Sequence, residues 1–166
     1  MRIILLSFGK LKTPGLREAA DYYQRVLRPW SRLEEIELKS EIVPPDKSSA
    51  AKLQVQKKEM VLLDRQLQKL SSRRMIYLLS EQGQSLDTQD WTKLIEKAHD
   101  DSIADMVFCI GSSLGFADDI KRHQASINLI SLGKQTMSHE LARVVLLEQI
   151  FRAMSVLKGH PYHNGN

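Results

Sequence analysis

The sequence predicts an α/β fold in which a mostly parallel sheet is flanked by helices. Two observations support this class: short apolar runs typical of buried strands, and intervening segments whose apolar residues recur at helical spacing. The two patterns alternate about five times, as in a parallel sheet covered by helices on both faces. No stretch rich in Gly, Ser or Pro divides the 166 residues, so we expect a single domain over residues 1–166.

The strands are predicted from continuous apolar runs, which are expected where a strand is buried on both faces. They cover 2–8, 33–43, 75–79, 105–110 and 127–132. The first run stops at Gly9, and Pro44-Pro45 closes the second, which has looser strand character. Residues 80–85 are polar, and we expect them to form a loop.

The helices are predicted from apolar residues spaced three and four apart, the spacing of one helix face. They cover about 16–27, 48–70, 87–98, 116–124 and 141–157. Pro29 stops the first helix, and Asp87 can cap the third. Ligands of such sheets bind beyond the carboxyl ends of the strands, so the glycine-containing loops 80–86, 111–115 and 133–139 are candidate binding loops.

The last helix, 141–157, carries apolar side chains around most of its circumference. With about 100° of rotation per residue, Glu148, Arg152 and Ser155 share one narrow polar stripe. Such a helix must be covered on more than one side, so we expect a homodimer through it; the alternative is a helix enclosed within one subunit. Glu148 and Arg152 can form an intrahelical ion pair, or one that serves an interface or an active site.

Three short motifs bear on ligand chemistry. The small residues of Gly111–Gly115 would let a nucleotide-like ligand approach the backbone; the alternative is an ordinary tight β-α turn. Gly133-Lys134-Gln135-Thr136 is not a phosphate loop, because Asn128 stands where the earlier glycine is needed. His139-Glu140 is not a zincin site, because Arg143 stands where the second histidine is needed.

Composition narrows the class of protein. Lys and Arg number 24 against 20 acidic residues, and the net charge of +4 is compatible with RNA binding without requiring it. The single cysteine, Cys109, cannot form an intrachain disulfide, and no Cys/His zinc pattern is present. The first apolar run is far too short to span a bilayer. We therefore expect a cytoplasmic protein with no membrane segment and no metal.

The C-terminal tail after the last helix concentrates two of the five histidines and a tyrosine. Pro161 prevents the helix from continuing and turns the chain away. A frayed terminus is one interpretation of this segment. A metal site at His160 and His163 is another, although it lacks a third ligand nearby in sequence.

The segment His139–Met154, followed by His160-Pro-Tyr-His163, resembles the RlmH family of ribosomal large-subunit RNA methyltransferases in the SPOUT superfamily. It matches the family's H-x-x-x-R-V-x-x-x-E-x-x-Y/F-R-A stretch and its closing Y-H. The order of elements and the opening strand to Gly9-Lys10 also agree, so the resemblance covers essentially the whole chain.

This resemblance implies methyl transfer from S-adenosylmethionine to N3 of a pseudouridine in 23S rRNA on assembled ribosomes, by a homodimer with a C-terminal trefoil knot. Matched residue by residue, the implied donor-binding residues are Leu79, Gly111, Leu132, Gly133, Lys134, Gln135, Thr136 and Met137. The implied catalytic residues are Arg152 and, in the tail 158–166, Tyr162 and His163. A near-neutral imidazole suits removal of the N3 proton, so His163 is our candidate base, with Tyr162 stacking on or hydrogen-bonding the target base.

Two positions depart from the family pattern: Ser112 replaces a glycine, and Ser138 replaces a proline. Both lie in loops that would hold the donor, which leaves an alternative open. The same fold could serve as a non-catalytic ribosome- or RNA-binding protein. A small-molecule enzyme that uses another nucleotide is a third hypothesis, which rests on the β-α alternation alone.

Overall fold

The computed structural model describes residues 1–43, 45, 48–117 and 127–162. The strands are β1 (Arg2–Phe8), β2 (Arg32–Leu38), β3 (Arg74–Ser85), β4 (Asp105–Ile110) and β5 (Ile127–Ser131). The helices are α1 (Pro14–Leu27), α2 (Ser49–Leu67), α3 (Thr88–Asp100) and α4 (His139–Leu157). The strands form one sheet in the order β2-β1-β4-β3-β5, and every neighbouring pair is parallel. The predicted α/β class with a parallel sheet is confirmed.

Two apolar layers cover the sheet, and they explain why its central strands are continuously apolar. Ile3 and Leu5 of β1 belong to the cluster that includes α1, α3 and α4. Ile4 and Leu6, the alternate residues, pack with Leu63 and Leu67 of α2 on the opposite face. Because successive side chains of a strand point to opposite faces, both sets must be apolar.

Helix α4 is enclosed within the subunit on several sides. It packs between α1 and α3 and also contacts β1 and β4. Leu146, Leu147 and Ile150 are fully buried by these neighbours, whereas Leu141 at the start of the helix is 40% exposed. Cover within one subunit, the alternative to a dimer, therefore accounts for most of the apolar surface of α4. The homodimer and the trefoil knot stay predictions.

The ends of two strands differ from the sequence prediction. Strand β2 stops at Leu38 instead of 43, because its last pairing partner is Phe8 and the chain turns at Gly9 with φ +86°. Strand β3 continues through the predicted loop 80–85. Leu79 and Gln84 both align with Ile130, so residues 80–83 bulge out of the pairing before it resumes.

Two further predictions concern the helices. The Asp87 cap is confirmed: its carboxylate accepts a hydrogen bond from the Asp90 backbone N–H at 2.8 Å. The predicted helix 116–124 lies outside the described residues apart from its first two positions. Among the helices that the structure describes, none is long and apolar enough to cross a membrane.

The two edges of the sheet carry different chemistry. At the amino edge, the Arg2 guanidinium contacts Asp105 at 3.0 Å and Glu34 at 2.9 Å, which joins β1, β4 and β2. The hydrogen bond from Arg2 holds the pKa of Asp105 below its usual value. The start of α4 lies at the opposite, carboxyl edge, together with the loops that the sequence analysis singled out.

Candidate active site at the carboxyl edge of the sheet

A cleft of about 980 Å³ lies at the carboxyl ends of β3, β4 and β5, within the size range of small-molecule sites. We call it the main cleft. Residues of three segments line it: the bulge of β3 at 80–82, and the loops at 111–117 and at 132–133 with 135–139. Seven of the eight implied donor residues belong to its wall: Leu79, Gly111, Leu132, Gly133, Gln135, Thr136 and Met137. Lys134 is exposed and is not part of the wall.

The glycines of the main cleft allow its loops to fold tightly on themselves. A Cβ on Gly111 would lie 3.2 Å from the Gly115 backbone and 3.4 Å from the Phe116 ring. Gly133 has φ +145°, a conformation that residues with a Cβ rarely adopt. The buried Ser131 hydroxyl fixes Gly133, because it donates to the Gly133 carbonyl at 2.7 Å and accepts from its N–H at 3.1 Å.

Helix α2 holds the 111–117 loop through Gln56, which also lines the main cleft. The Gln56 side-chain amide donates to the carbonyls of Leu114, at 2.9 Å, and of Phe116, at 3.3 Å. Gln56 has no recognisable signal in the sequence, since its role depends on how α2 docks. Two backbone carbonyls are therefore fixed by a side chain about 60 residues earlier in the chain.

The two serines that depart from the family pattern each have a local partner. The Ser112 hydroxyl donates to the buried Glu59 carboxylate of α2 at 2.7 Å. The other Glu59 oxygen accepts from the Glu41 backbone N–H at 3.0 Å. Ser138 is the N-cap of α4, and its hydroxyl accepts from the Leu141 N–H at 3.2 Å. Each added hydroxyl therefore stabilises the loop that carries it.

The wall of the main cleft suits a nucleoside-type ligand. Leu79 and Met137 give apolar surface, and the glycine turns allow close approach to backbone donors and acceptors. Within residues 1–43, 45, 48–117 and 127–162, no group of three His, Cys, Asp or Glu side chains is placed so that it could bind a metal ion.

A second group of implied site residues lies at the far end of α4. The Arg152 guanidinium forms the expected intrahelical ion pair with Glu148, at 2.6 Å. The Tyr162 hydroxyl donates to the same carboxylate at 3.2 Å, and its ring lies 5.0 Å beneath the Arg152 guanidinium. These contacts fold the chain at residue 162 back onto α4. His163, the candidate base, lies outside the described residues.

Burial, a hydrogen bond with Tyr23 and the negative charge of Glu148 raise the pKa of Tyr162 to about 12. The phenol is therefore protonated at neutral pH. A protonated phenol can donate a hydrogen bond or stack on a base, but it cannot remove a proton.

The structure does not bring these two groups together within one subunit. Ala142 lines the main cleft, and Arg152 lies ten residues further along α4. At 1.5 Å per residue, about 15 Å of helix separates them.

In the sequence, Arg143 stands out only as the arginine of the family motif. In the structure, it connects α4 to the loop that follows β1. Its side chain is fully buried in α4 and donates to Glu37 Oε1 at 2.7 Å and to the Gly9 carbonyl. Beside it, the Glu140 carboxylate accepts from the backbone N–H groups of Lys12 and Thr13 at 2.9 and 2.8 Å. The start of α4 therefore holds the loop that follows β1. An arginine among apolar helix residues was the available signal.

Comparison with known proteins agrees with this architecture. A family model described as "Predicted SPOUT methyltransferase" matches residues 1–163. A protein of Enterococcus faecalis named ribosomal RNA large subunit methyltransferase H is 36% identical over 163 residues, which are 98% of this chain and 99% of that protein. Proteins with the same name from Streptococcus gordonii, and with the name ribosomal RNA large subunit methyltransferase H 1 from Clostridium perfringens, are 36% and 34% identical with the same coverage. The chain therefore belongs to the SPOUT methyltransferase family.

Proposed function

We propose that this protein transfers a methyl group from S-adenosylmethionine to N3 of a pseudouridine in 23S rRNA of the large ribosomal subunit. Family membership supports methyl transfer, and the names of the relatives support ribosomal RNA of the large subunit as the substrate. The observation that carries the proposal is the main cleft, where Gly111 and the loop 132–137 meet beyond the ends of three parallel strands.

The residues of the main cleft fit S-adenosylmethionine, which when bound supplies a methyl group already activated by a sulfonium. Gly111 lets the 111–115 turn close tightly at the wall of the cleft, and Leu79 and Met137 offer apolar contact to an adenosine. Ser131 and Gln56 hold two of the loops in place, and Gln56 also lines the cleft. The protein's main task is then to align donor and nucleophile.

Pseudouridine N3 carries a proton that must leave before or during attack. We assign its removal to His163, whose ordinary pKa near 6.5 suits this role. The ring of Tyr162 is suited to stacking on the target base, and its protonated hydroxyl could donate to that base once it leaves Glu148. Arg152, oriented by Glu148, is suited to holding an RNA phosphate, with Lys134 and Lys158 as further candidates.

The separation along α4 supports a homodimer with composite sites. The tail of one subunit is about 15 Å of helix away from its own main cleft, so the tail of a partner subunit would complete the site. In this arrangement the whole chain, with its tail, acts as one domain in the cytoplasm, where ribosomes are found.

The experiment is methylation of ribosomes from a strain that lacks this gene, followed by mass spectrometry of the large-subunit rRNA. We expect the wild-type protein to add one methyl group to a pseudouridine. His163→Ala should lower the rate by about 10²- to 10⁴-fold, the usual contribution of a general base, and leave S-adenosylhomocysteine binding unchanged.

Two results would contradict the proposal. Nearly full methylation by a folded, dimeric His163→Ala variant would refute the role of His163. If calorimetry showed no heat with S-adenosylmethionine and no competition by S-adenosylhomocysteine, the protein would instead be the non-catalytic ribosome-binding alternative.

A further inference from the structure

A second cleft, of about 710 Å³, lies at the carboxyl ends of β1 and β2, beside the main cleft. Three lysines line it: Lys10 and Lys12 from the loop after β1, and Lys39 directly after β2. All three side chains are exposed. We call it the basic cleft.

The carboxylates in the wall of the basic cleft are already engaged. Although burial opposes it, the hydrogen bonds from Arg143 and the Leu11 N–H hold the pKa of Glu37 below its usual value. Glu140 is occupied by two backbone N–H groups, and the hydrogen bond from Thr13 lowers its pKa. Across the part of the chain that the structure describes, none of the three lysines has a carboxylate partner. Arg143 neutralises Glu37, and the three lysines outnumber the single charge of Glu140, so the cleft carries a net positive charge.

His139 joins the two clefts, because it lines both. Its ring lies directly against Gly9: a Cβ there would be 2.9 Å from His139 Nε2. Gly9, with φ +86°, allows this close contact. A polymer with one residue at the main cleft would therefore have neighbouring residues within reach of the basic cleft, on the other side of His139.

We propose that the basic cleft binds the phosphodiester backbone of the rRNA strand that flanks the target nucleotide. The proposal rests on the proposed function and extends it, because it assigns the path of the substrate at residues outside the implied donor and catalytic sets. Three lysines that share one open cleft suit a chain of phosphates better than a single small anion. Lysine contacts to phosphates supply affinity without sequence specificity and orient the nucleic acid.

The test compares two triple variants that remove the same charge. Lys10→Gln/Lys12→Gln/Lys39→Gln alters the basic cleft, and Lys69→Gln/Lys93→Gln/Lys97→Gln removes three exposed lysines that line neither cleft. Binding of the fluorescently labelled protein to ribosomes is titrated at constant Mg²⁺ between about 50 and 200 mM salt. Calorimetry with S-adenosylhomocysteine and thermal melting are run on the same samples.

Each phosphate contact contributes about 0.7 to the slope of log affinity against log salt for single strands, so loss of three lowers the slope by about two. Over this fourfold salt range, the loss of ribosome affinity should be about 16-fold smaller for the cleft variant than for the wild type. The control variant should keep most of the wild-type slope. Lys10→Arg/Lys12→Arg/Lys39→Arg should keep it as well, and all variants should bind S-adenosylhomocysteine normally.

An unchanged slope in the cleft variant would overturn the proposal. So would an equal loss in the control variant, which would indicate general attraction by net charge. Weaker S-adenosylhomocysteine binding by the cleft variant would show that the lysines serve the donor's carboxylate instead. A slope lost by the cleft variant and kept by the control variant, together with no methyl transfer by the wild type, would contradict the proposed function and still support RNA binding at this cleft.

Discussion

Replacement of Gly133 by alanine tests whether the main cleft depends on one backbone conformation. Gly133 has φ +145°, and a residue with a Cβ held there costs on the order of 1–3 kcal/mol. We expect the loop 132–137 to relax away from its present shape, so that the binding-competent form becomes a minor population. The apparent dissociation constant rises by the inverse of that fraction, about 5- to 150-fold for this cost.

Calorimetric titration with S-adenosylhomocysteine measures this effect directly. The added Cβ would also lie 2.8 Å from Gln135 Oε1, but that atom ends a flexible side chain and can move away. The loss should therefore be the same in a Gln135→Ala background. Gly15→Ala is the matched control, because no atom lies within 4 Å of its Cβ position and its φ is not positive. Wild-type affinity in Gly133→Ala would refute the argument from backbone strain, and rescue by Gln135→Ala would show a side-chain clash instead.

Three further predictions concern stability, each measured by urea unfolding. Asp105→Asn should cost about 1–3 kcal/mol at neutral pH, because it weakens the charge-assisted bond to Arg2. Since the pKa of Asp105 is lowered in the folded state, this stabilisation is present above about pH 4 and is lost as the pH falls through the folded-state pKa. The free energies of unfolding of the wild type and of Asp105→Asn should therefore become equal in acid. Ser112→Ala should cost about 1–3 kcal/mol by leaving the buried Glu59 carboxylate without its hydroxyl donor; an equally stable variant would refute that bond. Ser138→Ala should cost about 1 kcal/mol and Ser138→Asp much less, whereas equal losses would argue against capping.

Most of the fold could be predicted from the sequence because burial leaves a local signal. A strand such as Arg2–Phe8 packs on both faces, so its residues are apolar without interruption. The continuation of β3 to Ser85 left no such signal. Residues 80–85 are polar because they border a cleft, and only the position of Ile130 on the neighbouring strand shows that pairing resumes there.

The parts of the site that lie at strand ends could be predicted from the sequence. The parts that depend on how a helix packs against the sheet could not. The meeting of the loops at Gly111 and Gly133 follows from the rule that ligands bind at the carboxyl ends of parallel strands. The contribution of Gln56 required knowing where α2 lies, and the exposure of Lys134 required the conformation of its loop. The distance between Ala142 and Arg152 follows from helix geometry alone. That this distance separates Arg152 from the main cleft could not be predicted, because the sequence does not show that Ala142, and not Arg152, borders the cleft.

Helix α4 also determines how changes in chain length would be tolerated. Its first turns are fixed by Arg143 and Glu140, and its last turns carry Arg152 and the support for Tyr162. Deleting one residue between Arg143 and Glu148 would rotate everything beyond it by about 100° and shorten the helix by about 1.5 Å. The conformation of a surface loop can adjust to the loss of one residue. In this helix the same loss would displace Arg152 and the contacts of Tyr162 by the full rotation and shift. The number of residues in α4 therefore fixes both the distance and the relative orientation of the groups at its two ends.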